Sequence, residues 1–371
     1  MKVNRENLLR VLNTVSPGLT PRELIEQSST FCFKNGEVFT FNDEIACRMS
    51  SGLEKGFTGA VPAKPLKAIL EKLVEDEIEI TQEEGEVILA GKGRKAGVRM
   101  EAEILLPIDM VEKPEKWQDL HENFLEAISL VSQCVSKDES RTDLVCVHFH
   151  PKWLEAADSN HIARYKIPIG VSESTLVRGE SLKHIGQLGV NEMAETAAWM
   201  HFRNPQGLIF SCRRYVEQFP EIGDILKLEG SSATLPPGLA EAADKAAVFS
   251  EENVDDNFVR VELRSGKLRI KGQGISGWYS ETKKIKYDGP TLAFLISPKL
   301  LQQIVKKHSD VIISADRLKV EGGKWCYVAC LYQPEAIEKE VEESKKDVED
   351  TGAKLNGARK KAREKVTTSE E

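Results

Sequence analysis

The stretch Pro62-Ala63-Lys64-Pro65-Leu66-Lys67-Ala68-Ile69-Leu70 decides the fold, because its pattern returns twice further along the chain. Leu66, Ile69, Leu70 and Leu73 recur at the three-to-four spacing of one helix face, which predicts an amphipathic helix. Related stretches stand at Glu180-Ser181-Leu182-Lys183-His184-Ile185 and at Pro298-Lys299-Leu300-Leu301-Gln302-Gln303-Ile304. Aligning Leu66, Leu182 and Leu300 gives spacings of 116 and 118 residues.

The surroundings of the stretch repeat with it. In the first segment a helical pattern over 6–12 precedes strand-like 30–33, an Asn35-Gly36 turn and strand-like 38–41. A hairpin over 77–80 and 87–89, with Glu84-Gly85 between, follows the second helix. The order restarts with a helix over 122–128, strands near 144–149 and 154–157, the Glu180 stretch, and strands near 197–202 and 208–212. A third copy begins near 237–240, continues through strands at 258–263 and 267–271, and closes after the Pro298 stretch with strands at 311–314, 318–320 and 325–331. A helix–hairpin–helix–hairpin order kept at a near-constant period predicts three tandem domains of one α+β fold, at 1–112, 113–230 and 231–332. Residues 335–371 contain no aromatic side chain and pass from an acidic to a basic run, so 333–371 is expected to be a solvated helix or a disordered tail.

Composition narrows the function classes. With 371 residues and 40% apolar content, the chain has material for several cores. Runs such as Val311-Ile312-Ile313 are too short to span a bilayer, and the opening MKVNRENLLR lacks a signal-peptide core, so neither a membrane nor a secreted protein is expected. Seven cysteines without a CxxC pair fit reduced thiols in a cytoplasm. The formal charge of -8 excludes a uniformly cationic surface and leaves room for a local one.

Such a local surface is expected on the helices. With the leucines inward, Lys64, Lys67, Glu71 and Lys72 face out in the first copy, Lys183, His184 and Gln187 in the second, and Lys299, Gln302 and Lys306, opposite Leu300 and Ile304, in the third. Arg5, Arg10 and Asn13 suit the polar face of the first helix, and Arg22 joins this basic set. The matching helices of the other copies offer Glu122, Glu126 and Gln133, and Glu241, Asp244 and Lys245, whose acids repel phosphate. Long cations without interleaved aromatics suit a duplex backbone better than base edges or single strands. A weakly basic surface of this kind favours transient gliding over tight binding.

Three further stretches carry a family resemblance. Ala156-Ala157-Asp158-Ser159-Asn160-His161-Ile162-Ala163-Arg164 resembles the Thr-Asp-Gly-His-Arg-Leu-Ala signature in the second domain of bacterial sliding clamps, the DNA polymerase III beta subunit family. Phe219-Pro220-Glu221-Ile222, with Ile225-Leu226, is similar to that family's Phe-Pro-Asp-Tyr stretch, and residues 244–250 to the helix opening its third domain. Over residues 1–332 the resemblance implies a head-to-tail homodimer whose six domains close a ring around double-stranded DNA, with helices inside and sheets outside. It implies a non-enzymatic processivity factor with neither catalytic residue, cofactor nor metal, in the cytoplasm and associated with the nucleoid. DNA polymerase, the clamp loader and other clamp-binding peptides would dock in a cleft between domains two and three, lined by Thr142, Ser159, Asn160, His161, Ile162, Pro220, Ile225, Val328, Cys330 and Tyr332. Across the dimer interface, Val248 and Phe249 of the third repeat in one protomer would meet Ala96 and Val98 of the first repeat in the other. Two departures stand out: Ser159-Asn160-His161 replaces the family's Gly-His-Arg, and the chain continues for 39 residues past Tyr332.

Other patterns point elsewhere and carry little. Gly272-Gln273-Gly274-Ile275-Ser276-Gly277 matches GxGxxG, but a strand-like segment follows it where a pyrophosphate site needs a helix, so a flexible loop between strands is expected. Cys146, His148 and His150 alternate along one strand and cannot surround a tetrahedral ion unaided. The competing function class is a repeat-built protein-interaction scaffold that does not encircle DNA.

Overall fold

A computed structural model describes residues 1–23, 25–250 and 258–331, the side chains of 300, 303 and 307 excepted. Tyr332 and the charged tail therefore lie outside the described residues. The chain has an α+β fold of antiparallel sheets with helices against them, and it divides into two compact units, Met1–Glu221 and a second beginning at Ile222.

Within the first unit, helix α1 (Arg5–Val15) starts where Asn4 Oδ1 accepts a hydrogen bond from the Asn7 N–H at 2.9 Å, which satisfies one of the donors a helix leaves open. It buries Leu8, Leu12 and Val15. The expected hairpin forms between Thr30–Lys34 and Glu37–Phe41, and its turn residues Asn35 and Gly36 have φ of 55° and 80°, the left-handed geometry that this sequence pair tolerates. Ile45–Ser50 extends this sheet on one side and Gly59–Pro62 on the other, leading straight into α2 (Ala63–Lys72). Lys2–Asn4, Glu77–Glu83, Glu86–Gly91 and Arg94–Arg99 form a separate four-stranded sheet.

The following segment adds α3 (Phe124–Val131), the strands Cys146–His150, Trp153–Ala157, His161–Tyr165 and Thr175–Arg178, the short turns α4 (Gly179–Leu182) and α5 (Ile185–Leu188), and the strands Glu192–Glu195, Trp199–Arg203 and Ile209–Tyr215. Ile209 to Cys212 pair with Arg48 to Ile45, so one hydrogen-bonded ladder runs from the first repeat into the second. Trp199 packs against Phe41 at 6.0 Å between ring centres, in a core that also holds Cys32, Phe39, Ala46 and Leu106. Backbone pairing and a shared core make these two repeats one compact body.

The second unit contains α6 (Leu239–Ser250) and α7 (Pro298–Lys307). One sheet runs Gly277–Lys284, Lys267–Gly274, Val259–Arg264, Leu292–Ile296. In the other, Ser231–Thr234 pairs with Asp310–Ile313, followed by Arg317–Gly322 and Trp325–Cys330. The GxGxxG stretch is not a flexible loop. Gly274 opposes Gly277 across a two-residue hairpin turn, and a Cβ on Gly272 would stand 1.8 Å from the Ala246 carbonyl oxygen, so glycine there lets α6 lie against the strand.

The repeat is exact enough to correct one register. The residues that enter α2, α4 and α7 are Pro62, Arg178 and Ser297, with φ/ψ of -53°/123°, -56°/129° and -59°/129°. Each is followed by a small or rigid buried residue, Ala63, Gly179 and Pro298. Matching these junctions gives spacings of 116 and 119, and the third anchor becomes Leu301, 2% exposed, in place of Leu300. Adjacent leucines offer apolarity no way to choose between them; the geometry of the strand-to-helix turn chooses.

Candidate nucleic-acid interface

The helices of the first repeat form an antiparallel pair tied at both ends. Arg5 donates from Nη1 to the Leu70 carbonyl at 3.1 Å and from Nε to the Glu75 carbonyl at 3.0 Å, satisfying an acceptor that the end of α2 leaves open. Its side chain is 13% exposed, so its charge serves the fold first. At the other end Lys67 Nζ donates to Ser16 Oγ at 3.2 Å and is half-buried. Arg10, Lys64, Lys72 and Arg22 are exposed, with Arg10 donating to Asn7 Oδ1 at 3.0 Å. Ile69 is only half-buried, so the apolar stripe of α2 rests mainly on Ala63, Leu66 and Leu70.

In the second repeat the corresponding face is different. The single helix expected there is split into α4 and α5, and α5 ends at Gly189 with φ of 62°. Lys183 is exposed and ion-paired to Glu180 one turn earlier. Glu122 and Glu126 are exposed on or beside α3, and Glu126 accepts a hydrogen bond from the Tyr165 hydroxyl at 3.1 Å. Burial pushes the half-buried His184 imidazole below its ordinary range, which disfavours its cationic form.

In the third repeat Lys299 and Lys306 are exposed on α7. Gln302 is half-buried and reaches Asp244 Oδ1 at 3.3 Å, bracing α7 against α6. Lys245 of α6 lies 3.9 Å from Glu281.

The residues assigned to peptide capture fall into two groups. In the first unit, Asp158 Oδ1 accepts from the N–H groups of Asn160 and His161 at 2.7 and 2.6 Å, and Oδ2 lies 3.0 Å from His161 Nδ1, which fixes the Ser159–His161 turn. Ser159 and Pro220 are exposed, Thr142 is partly exposed, and Ile162 is 8% exposed. In the second unit Ile225 is 39% exposed, Cys330 is half-buried and Val328 is 2% exposed. Ile162 and Val328 are thus interior side chains, each within a run of consecutive buried strand residues. A similar correction applies to Val98, 7% exposed and opposite Val87 in its own sheet, whereas Ala96 is half-buried, Val248 is 63% exposed, and the half-buried Phe249 ring lies against Gly277.

Sequence reading passed over the polar network behind the His161 strand. Glu155, 3% exposed, accepts from Trp153 Nε1 at 2.8 Å and Arg164 Nε at 2.6 Å, and its Oε1 lies 2.7 Å from His148 Nδ1. Burial raises the Glu155 pKa, but the His148 and Trp153 hydrogen bonds and the Arg164 charge outweigh it and hold the carboxyl below its usual range. His150 stacks on Trp153 at 3.5 Å and Phe219 on His148 at 5.0 Å, beside a recess of about 510 Å³. The alternation of His148 and His150 was visible in sequence, but only the cross-strand registers His148–Glu155 and Glu155–Arg164 join His148 to the carboxylate and the guanidinium. Among the described residues no cluster of His, Cys, Asp and Glu has the arrangement of a metal site, and no helix is long and apolar enough to cross a membrane. Burial pushes the thiols of Cys47 and Cys146 up to about 12, leaving them poor nucleophiles.

No protein-family model matches the chain, and no curated protein does. Solved structures do. A DnaN sliding clamp (DNA polymerase III subunit beta) from Bartonella birtlesii, bound to griselimycin, superposes with a TM-score of 0.79 at 16% identity, over 90% of this chain and 99% of that one. The DNA polymerase III beta chain from Streptococcus pneumoniae gives 0.77 at 16% over the same shares, and the beta subunit from Thermotoga maritima 0.75 at 14% over 90% and 98%. The chain therefore has the fold of the DNA polymerase III beta sliding clamps.

Proposed function

We propose that this protein is a sliding clamp: a non-catalytic ring that encircles duplex DNA as a head-to-tail homodimer and tethers a DNA polymerase. The observation that carries the reading is the strand-to-helix junction built three times with the same backbone angles, followed in the first and third repeats by the exposed cations Lys64, Lys72, Lys299 and Lys306. Cations on rigid helices meet phosphates without reading bases, and a closed ring needs only weak contacts because topology holds the DNA. Ring closure would also pair exposed strand edges such as Arg94–Arg99, an aggregation hazard in a lone chain. Polymerase, clamp loader and other partners would attach through short peptides, with Ile225 and Pro220 as accessible anchors, and a tether of this kind gives processivity through effective concentration. The protein would then work in the cytoplasm, at the nucleoid.

The test is retention. Loaded onto nicked circular DNA, the protein should co-elute with it in gel filtration and be lost once the circle is cut; a protein-interaction scaffold would show no difference between circle and line. Ile225→Glu should abolish capture of a clamp-binding peptide while leaving the dimer intact.

A further inference from the structure

We infer that the three repeats do not share the duplex equally: phosphates are met by the first and third repeats, and the helical face of the second stays off the DNA. The inference rests on the clamp reading and specifies which residues of that surface act. In the first repeat Arg10, Lys64 and Lys72 are exposed, while Arg5 and Lys67 are held back on carbonyls and on Ser16. In the third, Lys299 and Lys306 are exposed on α7 with no acid among them, while the exposed Glu241 and Asp244 lie on the neighbouring α6, where Asp244 is engaged by Gln302. The second offers a single lysine, Lys183, and Glu180 neutralises it in place. Glu122 and Glu126 are exposed on or beside α3, and burial pushes the His184 imidazole below its ordinary range.

Electrostatics then decides the path. A phosphate brought to the second repeat meets two exposed carboxylates and one lysine already paired to a third, whereas on α2 the exposed Lys64 and Lys72 outnumber the exposed Glu71, and counterion release rewards the face with cations to spare. The α4–α5 break adds to this, since two four-residue turns cannot carry the row of cations that one ten-residue helix carries. A duplex threading the ring would ride against the first and third repeats.

The experiment measures the salt dependence of binding to a short fluorescent linear duplex, where topological retention plays no part. Each lysine that contacts phosphate contributes about 1 to the slope of log K against log salt. Lys64→Gln with Lys72→Gln should lower the slope by about 2, and Lys299→Gln with Lys306→Gln by a comparable amount. Lys183→Gln should leave it unchanged, and Glu126→Gln with Glu180→Gln should raise it by up to about 1 by releasing Lys183. A loss of slope for Lys183→Gln as large as for Lys64→Gln would overturn the inference. Retention of the wild-type protein on nicked circles separates the two questions: retention with equal slopes sinks the unequal sharing alone, and absence of retention sinks the clamp reading whatever the slopes show.

Discussion

Helices α2 and α4 begin from the same backbone turn and come to different ends. Ala63 and Gly179 occupy the same buried first position, and Leu66 and Leu182 the same anchor, at 3% and 0% exposure. Yet α2 runs ten residues and is closed by Arg5, whereas α4 stops after four and resumes as α5 before Gly189 ends it. A repeated fold therefore fixes how a helix starts and which side chain it buries. Length and charge are left to the local sequence, and that freedom is what lets α2 present exposed lysines where α4 and α5 leave one lysine paired to Glu180.

The anchors test the shared part of this comparison. Leu182→Ala and Leu66→Ala should each cost about 2–5 kcal/mol, from lost burial plus the cavity left behind, measured by urea denaturation. A cost below about 1 kcal/mol at either site would mean that the two junctions are not equivalent in energy.

Acid should attack the body formed by the first two repeats from the side of the second, since residues 1–112 contain no histidine. His201 is 1% exposed, with Nδ1 2.7 Å from Ser211 Oγ and Nε2 3.0 Å from Thr196 Oγ1. Burial lowers its pKa to about 4; Glu112 opposes the shift while Arg48 and Arg214 add to it. From pH 6.5 down to about 4 the unfolded chain binds a proton that the folded chain refuses, so stability falls as pH falls through this window and levels off below it. The loss should be on the order of 3 kcal/mol, and His201→Gln should flatten that part of a pH–stability profile.

The smallest expected effect separates the two first positions. A Cβ on Gly179 would stand 2.7 Å from Val135 Cγ1, so Gly179→Ala should destabilise by about 1–3 kcal/mol and be relieved by Val135→Ala in a double-mutant cycle. Ala63→Gly, which loosens the backbone and removes one buried methyl, should cost about 1–2 kcal/mol.

Much of this was legible before any coordinates. The Asn35-Gly36 turn, the two hairpins of the first repeat and the Trp325–Cys330 strand followed from turn chemistry and alternation. Strands such as His161–Tyr165, Thr175–Arg178 and Glu192–Glu195 were not foreseen, because short segments without strict alternation give no periodic signal. In the candidate site, exposure of Lys64, Lys72, Lys299 and Lys306 agreed with helical periodicity, but the burial of Arg5, Ile162, Val98 and Val328 did not show in residue type.

By itself the sequence determined the period, the α+β order of elements and the cationic character of two helical faces, since these depend on local spacing and side-chain chemistry. Only the tertiary structure decided that Leu301 is the third anchor, that Arg5 caps α2 and that the first two repeats share one ladder through Ile45–Arg48 and Ile209–Cys212. Each of those depends on which distant backbone groups meet, and contacts between residues up to about 170 positions apart leave no mark on local periodicity.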